Sequence, residues 1–280
     1  MKHYDKFVSA AEAVQCIQTG NRVFLHGSAA TPITLIEAMQ SRYAELKNVE
    51  LVSITNLGDV DFNKPEHRKS FFFNSLFVSA NTRAVANSND GDYVPIFLSE
   101  IPQLFRKSIL PIDVALIQVS PPDAHGYCSL GTSVDIARSA VDTAKIVVAQ
   151  VNPNMPRTHG DGFLHISKIN ALVWYESKLP EVDYSKKVSG SVEKIGSNVA
   201  SLIEDGACLQ MGIGVIPDQV LKNLGNHKNL GLHTEMLSDG VIPLLENGVI
   251  NNSRKKLNIG RSVTGFMVGT RKLYDFVHDN

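Results

Sequence analysis

Cysteine is scarce in this sequence. Cys16, Cys128 and Cys208 are odd in number and lie far apart. Such a set supplies neither a disulfide framework nor a zinc-binding pattern, and it points to a reducing compartment. Charge of one sign is not in excess either, since 27 Lys and Arg against 28 Asp and Glu leave a net charge of −1. The basic surplus that marks binding to nucleic acid or to an anionic membrane is therefore lacking. No stretch reaches ~18 uninterrupted apolar residues, so no membrane-spanning helix is expected. The opening run, MKHYDKFVSAAEAVQCIQTG, lacks the long apolar core of a secretory signal, and a cytoplasmic location is the expectation. The nine histidines include no HExxH run and no paired spacing, so no metal site is predicted. No short repeat or low-complexity tract interrupts the chain.

What is present is the composition of a globular protein. Hydrophobic residues make up 43% and charged residues 20%, enough apolar surface for a core and too much for disorder. The 280 residues allow one large α/β domain or two smaller ones.

Apolar runs alternate with helical patterns. Strands are predicted at 22–25, 49–54, 112–119, 145–151 and 171–175. Helices are predicted over 8–19, 98–107 and 134–143, with another starting at Thr31-Pro32, Thr31 as its cap. This alternation predicts a parallel sheet. A polar connector at 181–187 then separates a second α/β unit. There, Val192, Ile195, Val199, Leu202 and Ile203 fall at helical spacing. A strand at 207–211, a helix from Pro217, a strand at 230–233 and a helix after Asp239-Gly240 follow. The expected domains are 1–187 and 188–280, mainly parallel, the second too short to cover both faces of its sheet.

Several segments carry chemistry. Gly212-Ile213-Gly214-Val215-Ile216-Pro217 joins a predicted strand to a predicted helix. Glycines admit close backbone approach, and N–H groups at a helix start attract anions. Pro217 occupies the place of the third glycine of a dinucleotide fingerprint, so spacing alone favours an ordinary turn. In His233-Thr234-Glu235-Met236, a glutamate follows a short predicted strand. It reads as a nucleophile, base or ligand anchor, or as a cap of the next segment. The loop from Ser120 to Gly131 holds His125 and Cys128, and reads as a structural or substrate-shaping loop rather than a Cys/His pair. The run from His26 to Pro32 either binds an anion or turns the chain, and 152–159 is a proline-rich loop that either lines a pocket or, as is commoner for such loops, only connects.

Together these segments form a specific set. HGSAATP (26–32), PIDVALIQVSPPDAHGYCSLG (111–131), AKIVVAQVNPNMPRTHGDGFLH (144–165), QMGIGVIPDQVL (210–221) and HTEMLSDGV (233–241) occur in this order. The chain thus resembles the acetyl-CoA hydrolase/transferase family, especially its 4-hydroxybutyrate and butyrate:acetate CoA-transferase branch. The resemblance implies a CoA-transferase-like fold of two α/β domains, with the first complete and the second only begun. It implies that Glu235 is catalytic, and that Gly212, Ile213, Gly214, Val215 and Ile216 contact coenzyme A. Val215 and Gln219 stand where relatives carry smaller residues, which would reshape the CoA approach. The implied activity is CoA transfer between a short-chain acyl-CoA and a free carboxylate such as acetate, by ping-pong through a glutamyl-CoA thioester. Coenzyme A is then a substrate, with no tightly bound cofactor and no metal. Full-length relatives are expected to be homo-oligomers, as dimers. An acyl-CoA hydrolase of the same family and an inactive truncated fragment are the alternatives.

Overall fold

The computed structural model describes residues 7–185 and 188–280. Residues 1–6 of the N-terminal run and Lys186-Lys187 of the predicted connector lie outside the described residues. The chain separates into two compact units, Met1–Pro180 with His278–Asn280, and Glu181–Val277.

The first unit is built on one parallel sheet. In chain order its strands are β1 (Arg22–Leu25), β2 (Val49–Ser53), β3 (Phe71–Ser75), β4 (Gly91–Tyr93), β5 (Val114–Val119), β6 (Tyr127–Ser129), β7 (Ile146–Val151), β8 (Phe163–His165) and β9 (Ala171–Trp174). Its helices are α1 (Ala10–Ala13), α2 (Ile33–Gln40), α3 (Arg83–Ala86), α4 (Ile101–Arg106) and α5 (Ala137–Thr143). The sheet runs β4-β3-β2-β1-β5-β7-β9, every pairing parallel, while β6 and β8 form a separate antiparallel pair.

The central strands show why this sheet forms. VALIQV of β5 and IVVAQV of β7 are apolar except for Gln118 and Gln150, which face each other in register. Near-continuous apolar runs suit strands covered on both faces. Side chains alternate between two core clusters: Val23, Leu25, Val114 and Leu116 join one, Phe24, Ala115 and Ile117 the other. The two glutamines stay inside because Gln150 Nε2 donates to Gln118 Oε1 at 3.2 Å, as Asn152 Nδ2 does at 2.8 Å.

His26, directly after β1, is wholly buried. Its Nε2 lies 2.6 Å from the Ser133 carbonyl, which only accepts, so Nε2 carries the proton. Its Nδ1 accepts the Gln118 N–H at 3.2 Å. Both nitrogens are matched by the neutral ring, and burial pulls the pKa down to about 4. A histidine depressed on folding stabilises the protein above its unfolded pKa of about 6.5 and destabilises it as pH falls toward the folded value. Stability is therefore expected to fall by about 3 kcal/mol between pH 7 and pH 4 from this group. Urea midpoints across that range, compared with His26→Asn, check it: the variant's acid loss should be smaller.

Several elements differ from the sequence-based expectation. The first helix is only Ala10–Ala13 plus a 3₁₀ turn to Cys16, stopped early after a capping box between Ser9 and Glu12. Thr31 does not cap α2, whose cap position is Pro32. Its hydroxyl instead donates to the Ser28 carbonyl at 2.8 Å and accepts the Leu57 N–H at 3.1 Å. The strands β3 and β4 were not expected, because FFFNS lacks clear alternation and β4 has only three residues.

The second unit contains α6 (Gly190–Ala200), β10 (Cys208–Leu209), α7 (Val215–Lys222), β11 (Gly231–Leu237), α8 (Ile242–Glu246), β12 (Val263–Met267) and α9 (Arg271–Val277). Its sheet is parallel, in the order β10-β11-β12. Helix α6 packs on α7 where Gly196 meets Gln219: a Cβ on Gly196 would lie 2.8 Å from the Gln219 backbone carbon. Ile195, Val199 and Leu202, read as a core stripe, are exposed, while Gly196 and Ala200 make the buried face. Among the described residues no helix is long and apolar enough to cross a membrane.

Candidate active site

The chemistry-bearing segments fall into two groups. In the first unit, the runs after β1, β5 and β7 gather at the carboxyl ends of adjacent strands. Asn56, after β2, donates to the His26 carbonyl at 3.2 Å. Gln118 Nε2 donates to the Thr31 carbonyl at 3.2 Å, and Asn152 Nδ2 to the Ser177 carbonyl at 2.9 Å. Among the described residues, Asn56 Oδ1 and Gln150 Oε1 are buried acceptors without a hydrogen-bond partner. Sequence reasoning missed Asn56, Gln118 and Gln150 as members of this group. For Gln118 and Gln150 the available signal was a polar residue inside an otherwise apolar strand. Cys128 is buried in the apolar core of this unit, and burial pushes its thiol up to about 12, which disarms it as a nucleophile.

The second unit brings the glycine turn and Glu235 together. Strand β11 is longer than the predicted 230–233, so Glu235 sits within it, three residues before Ser238, rather than after its end. Alternation puts His233 and Glu235 on one face and Thr234 and Met236 on the buried one. Glu235 is half-buried, and its carboxylate makes no hydrogen bond or ion pair among the described residues. It is thus held by its strand, with no side-chain partner among the described residues.

The segment around the turn is tied once to this strand and once to the residue that follows it. The Met211 N–H donates to Thr234 Oγ1 at 2.8 Å, so the residue before Gly212 is held by the residue before Glu235. At the other end, Ser238 Oγ donates to Asp218 Oδ1 at 2.5 Å. Residues 212–217 therefore span between two struts that flank Glu235 along the chain.

Between the struts, the backbone offers donors. Helix α7 begins at Val215, two residues before the expected Pro217, and Gly214 caps it with no side-chain bond. Gly214 has φ 120° and ψ −174°, a region that essentially only glycine occupies. The N–H groups of a helix's first turn lack intrahelical acceptors. Pro217 has none to offer, which leaves those of Gly214, Val215 and Ile216. Ile213 and Ile216 are exposed around them, and Val215 is half-buried. Gln219 does not face this opening: it is buried against α6, and its Nε2 has no partner among the described residues. The same unit thus holds a carboxylate without a side-chain partner among the described residues and a helix start whose N–H groups are of the kind that suits a developing oxyanion.

Comparison with known proteins shows what the chain as a whole is similar to. Residues 1–195 match the model of the acetyl-CoA hydrolase/transferase N-terminal domain. The chain is 47% identical over 277 residues to the 4-hydroxybutyrate coenzyme A transferase of Clostridium kluyveri, covering 99% of this chain and 64% of that one. It is also 47% identical to the succinyl-CoA:acetate/propanoyl-CoA:succinate CoA transferase of Fasciola hepatica, over 94% of this chain and 55% of the relative. Among solved structures, the 4-hydroxybutyrate CoA-transferase of Porphyromonas gingivalis superposes with a TM-score of 0.87 at 36% identity, covering 99% of this chain and 66% of that chain. RipA of Yersinia pestis gives 0.93 at 31% identity, with the same coverages of 99% and 66%. The chain thus spans 64% and 55% of the two curated relatives' lengths.

Proposed function

The chain belongs to the acetyl-CoA hydrolase/transferase family, and from that premise we propose that it carries the catalytic centre of an acyl-CoA:carboxylate CoA-transferase. Residues 1–187 read as its N-terminal domain and 188–280 as the opening of its C-terminal one. The supporting observation is the tethering of the segment that holds the 212–216 turn to Thr234 and Ser238, which lie on either side of Glu235 in the chain.

Glu235 attacks the thioester carbonyl of a short-chain acyl-CoA, giving an acyl–glutamyl anhydride and CoA thiolate. The thiolate attacks the glutamyl carbonyl, which releases the acyl group as free acid and leaves a glutamyl-CoA thioester. A second carboxylate, such as acetate, attacks that thioester, and the released thiolate then takes the new acyl group from the anhydride. Glu235 returns as carboxylate. Covalent catalysis divides one hard exchange into easier steps. N–H groups of Gly214, Val215 and Ile216 stabilise the tetrahedral oxyanions, at roughly 3–4 kcal/mol per well-placed donor. Gly212 and Ile213 line the approach of coenzyme A, which is a substrate, so no resident cofactor or metal is needed. The expected location is the cytoplasm, and the assembled enzyme is read as a homodimer.

Steady-state kinetics with butyryl-CoA and acetate test the reading. Parallel double-reciprocal lines and acetyl-CoA as product are expected. Intersecting lines would contradict the covalent route, and release of free CoA without acceptor would make the protein a hydrolase.

A further inference from the structure

Asp218 is a carboxylate that the chemistry above does not use. It is the fourth residue of α7, only 5% exposed, and it accepts from Ser238 Oγ at 2.5 Å. Asp239 and Asp183 lie near it with like charge, while Lys222 offsets them. Burial, ahead of these charges, holds its carboxyl above the usual range. Tyr184 is close enough that Asp218 adds to the rise that burial imposes on the phenol. As a stabilising contact this is poor, because a buried carboxyl among like charges costs free energy that an apolar side chain of similar size would not.

Its geometry explains it better. Asp239, the residue after Ser238, is itself fixed: its carboxylate accepts the Thr270 N–H at 2.8 Å and the Thr270 hydroxyl at 2.6 Å. Ser238 is therefore anchored from the chain beyond β12, and its hydroxyl reaches α7 one residue past Pro217. No side chain caps the start of α7. The strut from Ser238 to Asp218 ties the first turn of α7 to the residue that directly follows the strand bearing Glu235.

We propose that Asp218 is a positioning residue: through Ser238 it sets the distance between the free N–H groups opening α7 and the carboxylate of Glu235, and so governs the covalent step rather than the binding of coenzyme A. This rests on the function proposed above.

The test measures two quantities on the 280-residue chain. One is the rate at which Glu235 becomes a glutamyl-CoA thioester at saturating butyryl-CoA, by quenching and peptide mass spectrometry. The other is the Kd for coenzyme A by calorimetry. Asp218→Ala and Ser238→Ala should each slow the covalent step by about tenfold or more, with Kd unchanged within about twofold. The double variant should be no slower than the singles, since both break one strut. Asp218→Asn keeps an acceptor for Ser238 and should restore the rate to within about threefold of the parent. Should Asp218→Ala not fold, Ser238→Ala and Asp218→Asn carry the same comparison. Unchanged rates in the singles, losses that multiply in the double variant, or equal losses in rate and Kd would overturn the positioning role. A parent chain that forms no thioester would overturn the functional reading itself, and is distinguished because it needs no variant.

Discussion

Glu235→Gln is expected to lower CoA transfer by about four orders of magnitude or more, with coenzyme A still binding within about twofold of the parent. Glutamine matches glutamate in length and shape but offers a neutral amide, which does not attack a thioester. The usual objection to such a variant is collateral damage. Here the Glu235 side chain takes part in no hydrogen bond or ion pair among the described residues, so its replacement breaks none there. Stability should change by no more than about 0.5 kcal/mol. Glu235→Asp keeps the charge but withdraws it by one methylene, and about 100-fold loss is expected from misplacement alone. Thermal unfolding, calorimetric Kd and single-turnover rates separate the three effects.

The second large effect concerns Gly214. Its φ of 120° with ψ −174° is closed to any residue bearing a Cβ, although nothing crowds the position: no atom lies within 4 Å of where a Cβ would stand. Gly214→Ala therefore meets a purely conformational penalty, of about 1–3 kcal/mol if the backbone holds. The turn can avoid that cost by re-aiming, because no side chain caps it and Ile213 and Ile216 beside it are exposed. Re-aiming moves the N–H groups of Val215 and Ile216. The covalent step is then expected to slow by about 100-fold or more, comparable to losing one oxyanion donor, with little change in overall stability. Gly212→Ala serves as the contrast. Gly212 has no positive φ, and a Cβ added there would meet no neighbour within 4 Å, so a smaller effect on the same rate is expected.

The strands of the first unit were legible because parallel strands covered on both faces are apolar almost throughout, as β5, β7 and β9 are, and β1 after its leading Arg22. The strands β3 and β4 at the sheet's end were not. FFFNS alternates buried and exposed positions in space, but three phenylalanines in a row hide that period of two in the sequence. On α6 the apolar spacing was real, but the packing contact went to Gly196 and Ala200, where small residues let α7 approach. Hydrophobic pattern marks a helix face; close helix packing is decided by size.

The site was legible in part for a related reason. Glu235 and the glycine turn stand out as local runs, so sequence alone picks them out. The struts do not. Thr234 with Met211, and Ser238 with Asp218, join residues that lie far apart along the chain. A buried threonine or aspartate in such a run carries no local mark of its partner. The extension of β11 through Glu235 was hidden likewise, because His233, Thr234 and Glu235 are polar enough to read as the end of a strand.

The most direct measurement is chemical. The chain is incubated with butyryl-CoA without acceptor acid, reduced with borohydride, digested, and the peptide containing residues 233–237 is weighed and sequenced by mass spectrometry. The γ-carboxyl of Glu235 is expected to be recovered as an alcohol, only when acyl-CoA was present and never in Glu235→Gln. Recovery of unmodified Glu235 beside a consumed acyl-CoA, or of the modification on another side chain, would contradict it.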